Sequence, residues 1–182
     1  MLRLFQTLML AMFLFTINFS TSYAAERDNT AEIRKAVERY FEKENYKYSG
    51  FNDKNATTIS FNIKSKLSSA NVRLQAQKNH LLIRSTLPIK AEESVRPEVA
   101  EFLLRANYGM KIGGFDFDFN DGEISFRASF YCGDVAPTHE QIDHAIDVCL
   151  GMVQRYGDGI IKVIYGLQTS KDAIQEIEGS ES

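Results

Sequence analysis

The chain has 182 residues, 44% of them apolar, with 13 Phe and 8 Tyr. That is enough apolar material for one packed domain and excludes disorder as the main state. A formal charge of −3 with no basic run argues against a nucleic-acid partner and against a polybasic grip on an anionic membrane.

Residues 1–24 differ in kind from the rest. Arg3 gives a positive start, Leu4 to Phe19 is mostly Leu, Met, Phe and Ala, and Ser22 and Ala24 are the small residues of a cleavage site after Ala24. This predicts a bacterial secretory signal peptide, and hence an exported protein, periplasmic or secreted. The competing reading is an uncleaved anchor. Gln6, Thr7 and Asn18 weaken so short an apolar run as a membrane span, so none is expected after cleavage. Cleavage removes only Arg3 from the charge count. The predicted division is 1–24 signal peptide, 25–167 folded domain and 168–182 polar tail, the tail either frayed or a loose helix.

In the mature part, Asn29 and Glu32 predict a capped helix with Ile33, Ala36, Val37, Tyr40 and Phe41 on one face, ending near Asn45. Three short alternating runs follow. Ile59, Phe61 and Ile63 mark one strand, Val72, Leu74 and Ala76 a second, and Leu81, Ile83 and Leu87 a third that Pro88 should end. Lys78-Asn79 is the turn between the last two. Pro97 opens a second helix, with Val99, Phe102, Leu103 and Ala106 as its buried stripe and Gly109 placed to terminate it in the left-handed conformation.

The stretch Asn107–Cys132 is the most legible. Phe115, Phe117 and Phe119 alternate with Asp116 and Asp118, so one face of a strand is aromatic and the other acidic. Asp121-Gly122 supplies a two-residue turn. Ile124, Phe126, Ala128, Phe130 and Cys132 then alternate with Ser125, Arg127, Ser129 and Tyr131. A register centred on that turn sets Phe119 opposite Ile124, Phe117 opposite Phe126 and Asp116 opposite Arg127. Met110-Lys111-Ile112 could lead into it as a further strand. Beyond it, Thr138 and Gln141 form a capping box. Ile142, Ala145, Ile146, Cys149, Met152, Val153 and Tyr156 form a long helical stripe, with Gly157 and Gly159 interrupting and Gly166 stopping a final apolar piece. Gly151, inside this helix, suggests a close approach to another backbone. The fold class is therefore α+β, an antiparallel sheet of five to six strands against helices in the order α-βββ-α-ββ(β)-α.

Leu103-Leu104-Arg105-Ala106-Asn107-Tyr108-Gly109, then Gly114-Phe115-Asp116-Phe117-Asp118, then Asp121-Gly122-Glu123 and a long amphipathic helix resemble the YbjN-type family, labelled bacterial sensory transduction regulators. The resemblance covers about residues 30–166 in element order and residues 103–131 in detail. It implies a fold like the type III secretion (Tir) chaperones, small α+β proteins, usually dimeric, that hold unfolded partner segments. Asn107, Tyr108, Gly114, Phe115, Asp118, Asp121, Gly122 and Glu123 are its signature, and their types look structural rather than catalytic. Secretion chaperones are cytosolic, whereas this chain begins with a signal peptide.

No residue set commits to catalysis, a cofactor or a metal. Asp116, Asp118 and Asn120 have the spacing of a calcium loop, but Asp121 stands where that loop needs Gly and Arg127 where it needs Glu. His139 and His144 are five apart and cannot share a helical face, and His80 lies on another element. No nucleophile elbow or phosphate loop appears, since Gly113-Gly114 precedes a strand. Cys132 and Cys149 both point to the core by pattern. They read either as a disulfide, which would contribute about 3 kcal/mol, or as two buried thiols.

The expected function is an exported, non-catalytic module of the YbjN type that binds an unknown protein or peptide, alone or as a homodimer, with a regulatory or chaperone-like role in the cell envelope. A regulator of a bacterial stress or motility pathway is the alternative, and an unrecognised hydrolase ranks behind both.

Overall fold

The computed structural model describes residues 27–179. The predicted signal peptide lies outside these residues. The elements are α1 (Thr30–Lys43), β1 (Ala56–Asn62), β2 (Ser69–Gln77), β3 (His80–Lys90), a 3-10 turn (Glu93–Val95), α2 (Arg96–Asn107), β4 (Gly114–Phe117), β5 (Glu123–Tyr131), α3 (His139–Ile164) and α4 (Ser170–Gly179). The five strands form one sheet in the order β1-β2-β3-β5-β4, with every neighbouring pair antiparallel. The chain leaves β3 through α2, forms the edge strand β4, and returns as β5 between them. Met110–Ile112 form a loop, so among the described residues the sheet has five strands and not six.

Alternation separates the two sheet faces. Val72, Leu74, Leu81, Ile83, Ile124 and Phe126 are fully buried on one face, which receives the helices. The other face carries Arg73, Arg84, Thr86, Arg127 and Ser129. Helix α3 supplies the longest apolar stripe, with Ile142, Ile146, Cys149, Val153 and Ile160 all buried. Its capping box forms as expected: Thr138 Oγ1 accepts from Gln141 N, and Gln141 Oε1 accepts from Thr138 N.

Several local expectations change for identifiable reasons. Helix α1 lacks the predicted side-chain cap at Asn29. Asp28 Oδ1 accepts from Thr30 N instead, and buried Asn29 donates from Nδ2 to Gly133 O and from N to Asn79 Oδ1, tying the start of α1 to two turns. Strand β3 continues past Pro88 to Lys90 through a register irregularity, the setting in which a residue without an N–H is tolerated. Gly109 does not take the left-handed conformation; Gly113 does, at φ +72°.

Helix α3 is uninterrupted. Gly157 and Gly159 do not break it, because each sits where something packs closely. A Cβ on Gly157 would lie 2.7 Å from Leu67 Cδ1, and one on Gly159 would lie 3.0 Å from Phe102 Cζ. Gly151, expected at such an approach, has open space around it. The segment 168–182, expected as a polar tail that is frayed or a loose helix, contains α4, and this helix is not loose: it packs on α2 and α3 with Ala173 buried. Glu98 anchors its start: Oε1 accepts from Ser170 N at 2.7 Å, and Ser170 Oγ donates to Glu98 O at 2.6 Å.

Candidate functional site

The β4–β5 hairpin is displaced by two residues from the expected register. Phe115 faces Phe126, Phe117 faces Ile124, and Asp116 faces Ser125. A two-residue shift preserves which face each side chain occupies, so the aromatic and acidic sides stand as expected. Its cause lies at Asp118. Its Oδ1 accepts from Asn120 N at 2.8 Å, its N–H donates to Glu123 O, and its C=O accepts from Gly122 N, so the loop runs over Asp118–Gly122 instead of two residues. Phe119 is left in the loop, 57% exposed. Asp116 still pairs with Arg127, at 2.8 Å to Nε and 3.2 Å to Nη2, by reaching diagonally, and it also accepts from Arg84 Nη2 at 3.2 Å.

Most signature residues have structural work that can be named. Asn107 Oδ1 accepts from Phe115 N at 2.7 Å, and its Nδ2 donates to Phe115 O at 3.0 Å. One side chain thus satisfies both outward backbone groups at the edge strand, as a neighbouring strand would. Gly122 has φ +75° and lies so close to Ala91 that any Cβ would collide with the Ala91 carbonyl. Asp121 accepts from Glu123 N and pairs with Lys90, which holds its carboxyl below the usual aspartate value. Glu123 stands opposite Lys90 in the β3–β5 ladder. Gly114 has ordinary room, with Asn107 Oδ1 3.4 Å from a built Cβ. The strict glycine is its neighbour Gly113, where a Cβ would meet Arg127 O at 2.5 Å.

Tyr108 is different. It is 96% exposed, although it ends a packed helix. Leu104, four residues earlier on the same helical face, is 73% exposed. Directly after Tyr108, the loop Gly109–Ile112 forms one wall of a cavity of about 450 Å³. Val148, Met152, Arg155 and Tyr156 of α3 form the other wall, and Glu178 of α4 closes one end. Tyr156 Oη donates to Glu178 Oε1 at 3.0 Å, and the Arg155 guanidinium lies 5.4 Å from the Tyr156 ring centroid. Each wall contributes a methionine, Met110 and Met152, side chains that adapt to irregular partners. The rim carries both signs of charge. The composition suits an amphipathic polypeptide segment. Sequence reasoning found Tyr108 only as part of a pattern and placed Met152 in the core; α4, the element that closes the groove, lay in a segment expected as tail.

The two cysteines are free. Cys149 Sγ lies 3.9 Å from Ile83 O under the middle of the sheet, whereas Cys132 N donates to Asn79 O at the end of β3. Those anchor points are four residues apart, roughly 13 Å along a strand, well beyond disulfide reach. Burial pushes the Cys149 thiol up to about 12, and burial also raises that of Cys132. The histidines do not converge. His139 Nε2 is 3.0 Å from Glu44 Oε1 and stacks near Tyr40, and His80 lies against Tyr131. Among the described residues no group of three or more His, Cys, Asp or Glu is placed to hold a metal ion, and Asp116, part of the calcium-like spacing, is engaged by two arginines.

A search of curated proteins finds no match in sequence. Among solved structures, YbjN from E. coli superposes with a TM-score of 0.50 at 11% identity, over 74% of this chain and 93% of that one. The ExsC–ExsE complex matches with a TM-score of 0.50 at 15% identity, over 71% and 93%. The HopA1–SchA chaperone–effector complex matches at 0.45 and 11%, over 71% and 95%. The YbjN and ExsC–ExsE superpositions thus show the same α+β fold. The family described as "Putative bacterial sensory transduction regulator" matches residues 34–162, a span running from α1 into the last turn of α3. The chain belongs to the YbjN family.

Proposed function

We propose that this protein is an exported, non-catalytic module that holds an amphipathic segment of another polypeptide in the groove beside Tyr108. The observation that carries this reading is the exposure of Tyr108 immediately before the loop Gly109–Ile112 that lines a Met-containing cavity, in a fold whose other signature residues are engaged in structure. Tyrosine is a favoured interface anchor because a large apolar ring carries a hydrogen-bonding tip and loses little entropy on binding. Membership of a family described as sensory transduction regulators supports a binding role over catalysis. The composition of residues 1–24 supports export, with partners met in the cell envelope.

The family description favours a second reading, in which the bound segment belongs to an envelope signalling component and the groove regulates it. The two differ in consequence: a regulator's deletion alters transcription under envelope stress, and a chaperone-like holder's deletion depletes its partner.

The test has two arms. N-terminal sequencing of protein from fractionated cells should find Ala25 first, outside the cytoplasm; an intact Met1 in the cytosol would overturn export. Tyr108→Ser should fold normally and lose the polypeptide that co-purifies with the natural sequence. A complex that survives Tyr108→Ser together with Met152→Asp would overturn the groove.

A further inference from the structure

The face of the sheet away from the helices carries a feature no signature residue announces. Arg73 of β2 stands directly opposite Arg84 of β3, which stands directly opposite Arg127 of β5. Three arginines thus leave the sheet abreast from neighbouring strands about 4.8 Å apart. Like charges in direct opposition destabilise a sheet. Asp116 compensates part of this, taking two hydrogen bonds from Arg127 and one from Arg84. A guanidinium has five donors. Arg84 Nε is buried with no acceptor among the described residues, and no carboxylate pairs with Arg73 among them. Between Arg73 and Arg84 opens a polar cavity of about 520 Å³, with Gln75, Gln77 and Thr86 on its walls and Glu123 at its edge.

We propose that this arginine row is a docking surface for an acidic, extended peptide segment, independent of the groove beside Tyr108. One carboxylate placed between Arg73 and Arg84 accepts from both forks and relieves their repulsion, and glutamine and threonine supply donors for a peptide backbone alongside. Arginine is suited to this because its planar fork matches a carboxylate in two bonds. Asp116, Asp118 and Glu123 balance the three arginines over the face as a whole, so the uncompensated positive charge is local to Arg73 and the adjoining side of Arg84, which fits single spaced carboxylates and disfavours a densely charged polyphosphate. The row stands out on a protein whose net charge is −3.

The experiment is fluorescence anisotropy of a labelled oligoglutamate peptide against the natural protein, Arg73→Gln and Arg84→Gln, at low salt, with circular dichroism as the check on folding. The expected result is binding that weakens as salt rises, falls about tenfold in Arg73→Gln with the fold unchanged, and is untouched by Tyr108→Ser. No binding by the natural protein, equal binding by Arg73→Gln, or equal binding of an oligolysine peptide would overturn the proposal. Displacement of the peptide by an equal concentration of inorganic phosphate would also overturn it, since the row would then be an anion site and not a peptide surface. Loss of binding in Tyr108→Ser would overturn the independence of the two surfaces.

Discussion

Asn107 holds both outward polar groups of the Phe115 backbone, accepting from N at 2.7 Å and donating to O at 3.0 Å. The last residue of α2 thereby closes the edge of β4 and fixes where the loop carrying Met110 and Ile112 leaves the helix. The groove wall depends on this clamp. Asn107→Ala should cost roughly 1–3 kcal/mol, because two partly buried backbone groups lose their partner together. Urea denaturation measures it, and a loss below about 0.5 kcal/mol would show that water replaces the amide without penalty.

The glycines separate by environment. Gly151→Ala should raise stability by about 1 kcal/mol, since the site is an exposed helix interior with nothing within 4 Å of the new methyl. Gly122→Ala should be strongly destabilising, because the methyl meets the Ala91 carbonyl and φ is +75°. Thermal melts of both variants check the contrast. Equal effects would mean that the Ala91–Gly122 contact is not tight in solution.

Helix α4 belongs to the folded unit. Ala173 is 1% exposed, so Ala173→Asp buries an unpaired charge and should destabilise by more than about 3 kcal/mol. Unfolding followed by tyrosine fluorescence would show it; a change below about 1 kcal/mol would mean that α4 detaches readily.

How much of this was open to reading from residues alone follows from the range of each signal. Alternation and helical periodicity are local, so the strands, the faces of the hairpin, the Thr138–Gln141 box and the order of elements were legible. The hairpin register was not, because Asp121-Gly122 is the usual turn signal and the competing bonds of Asp118 to Asn120 and Glu123 appear only in three dimensions. Gly157 and Gly159 read as breakers, since their reason, the approach of Leu67 and Phe102, is long-range. Helix α4 has few apolar residues and gains its place from the Glu98–Ser170 anchor. The arginine row was invisible because its members come from three strands. A charge count along the chain cannot see a cluster assembled by sheet register.

Asp158 gives a pH signature. Burial works to raise its pKa, but bonds from Lys66 N and Ser65 Oγ, with the nearby Lys66 and Lys162 charges, hold it below the usual 3.8. A depressed carboxylate contributes stability that is present above its unfolded pKa and lost as pH falls through the folded one. Stability should therefore decline below about pH 4. Asp158→Asn should remove part of that decline. An identical acid profile for the variant would contradict the linkage.

The thiols offer a direct check on the sheet. Cys149 is fully buried with its thiol raised to about 12, and Cys132 is half-buried. Native alkylation should therefore modify Cys132 first and Cys149 only on unfolding, with the same pattern with or without reductant. Protection of both until reductant is added would mean that the natural protein carries the disulfide.

The central claim is that the groove beside Tyr108 receives another polypeptide, and a photo-crosslinking residue at position 108 tests it most directly. Illumination in the producing cells should give one discrete adduct with a second protein. That adduct should be absent when the same residue stands at exposed position 47, and it should be lost when Met152→Asp places a charge on the groove wall. No adduct at 108, or the same adducts at 108 and 47 unaffected by Met152→Asp, would contradict it.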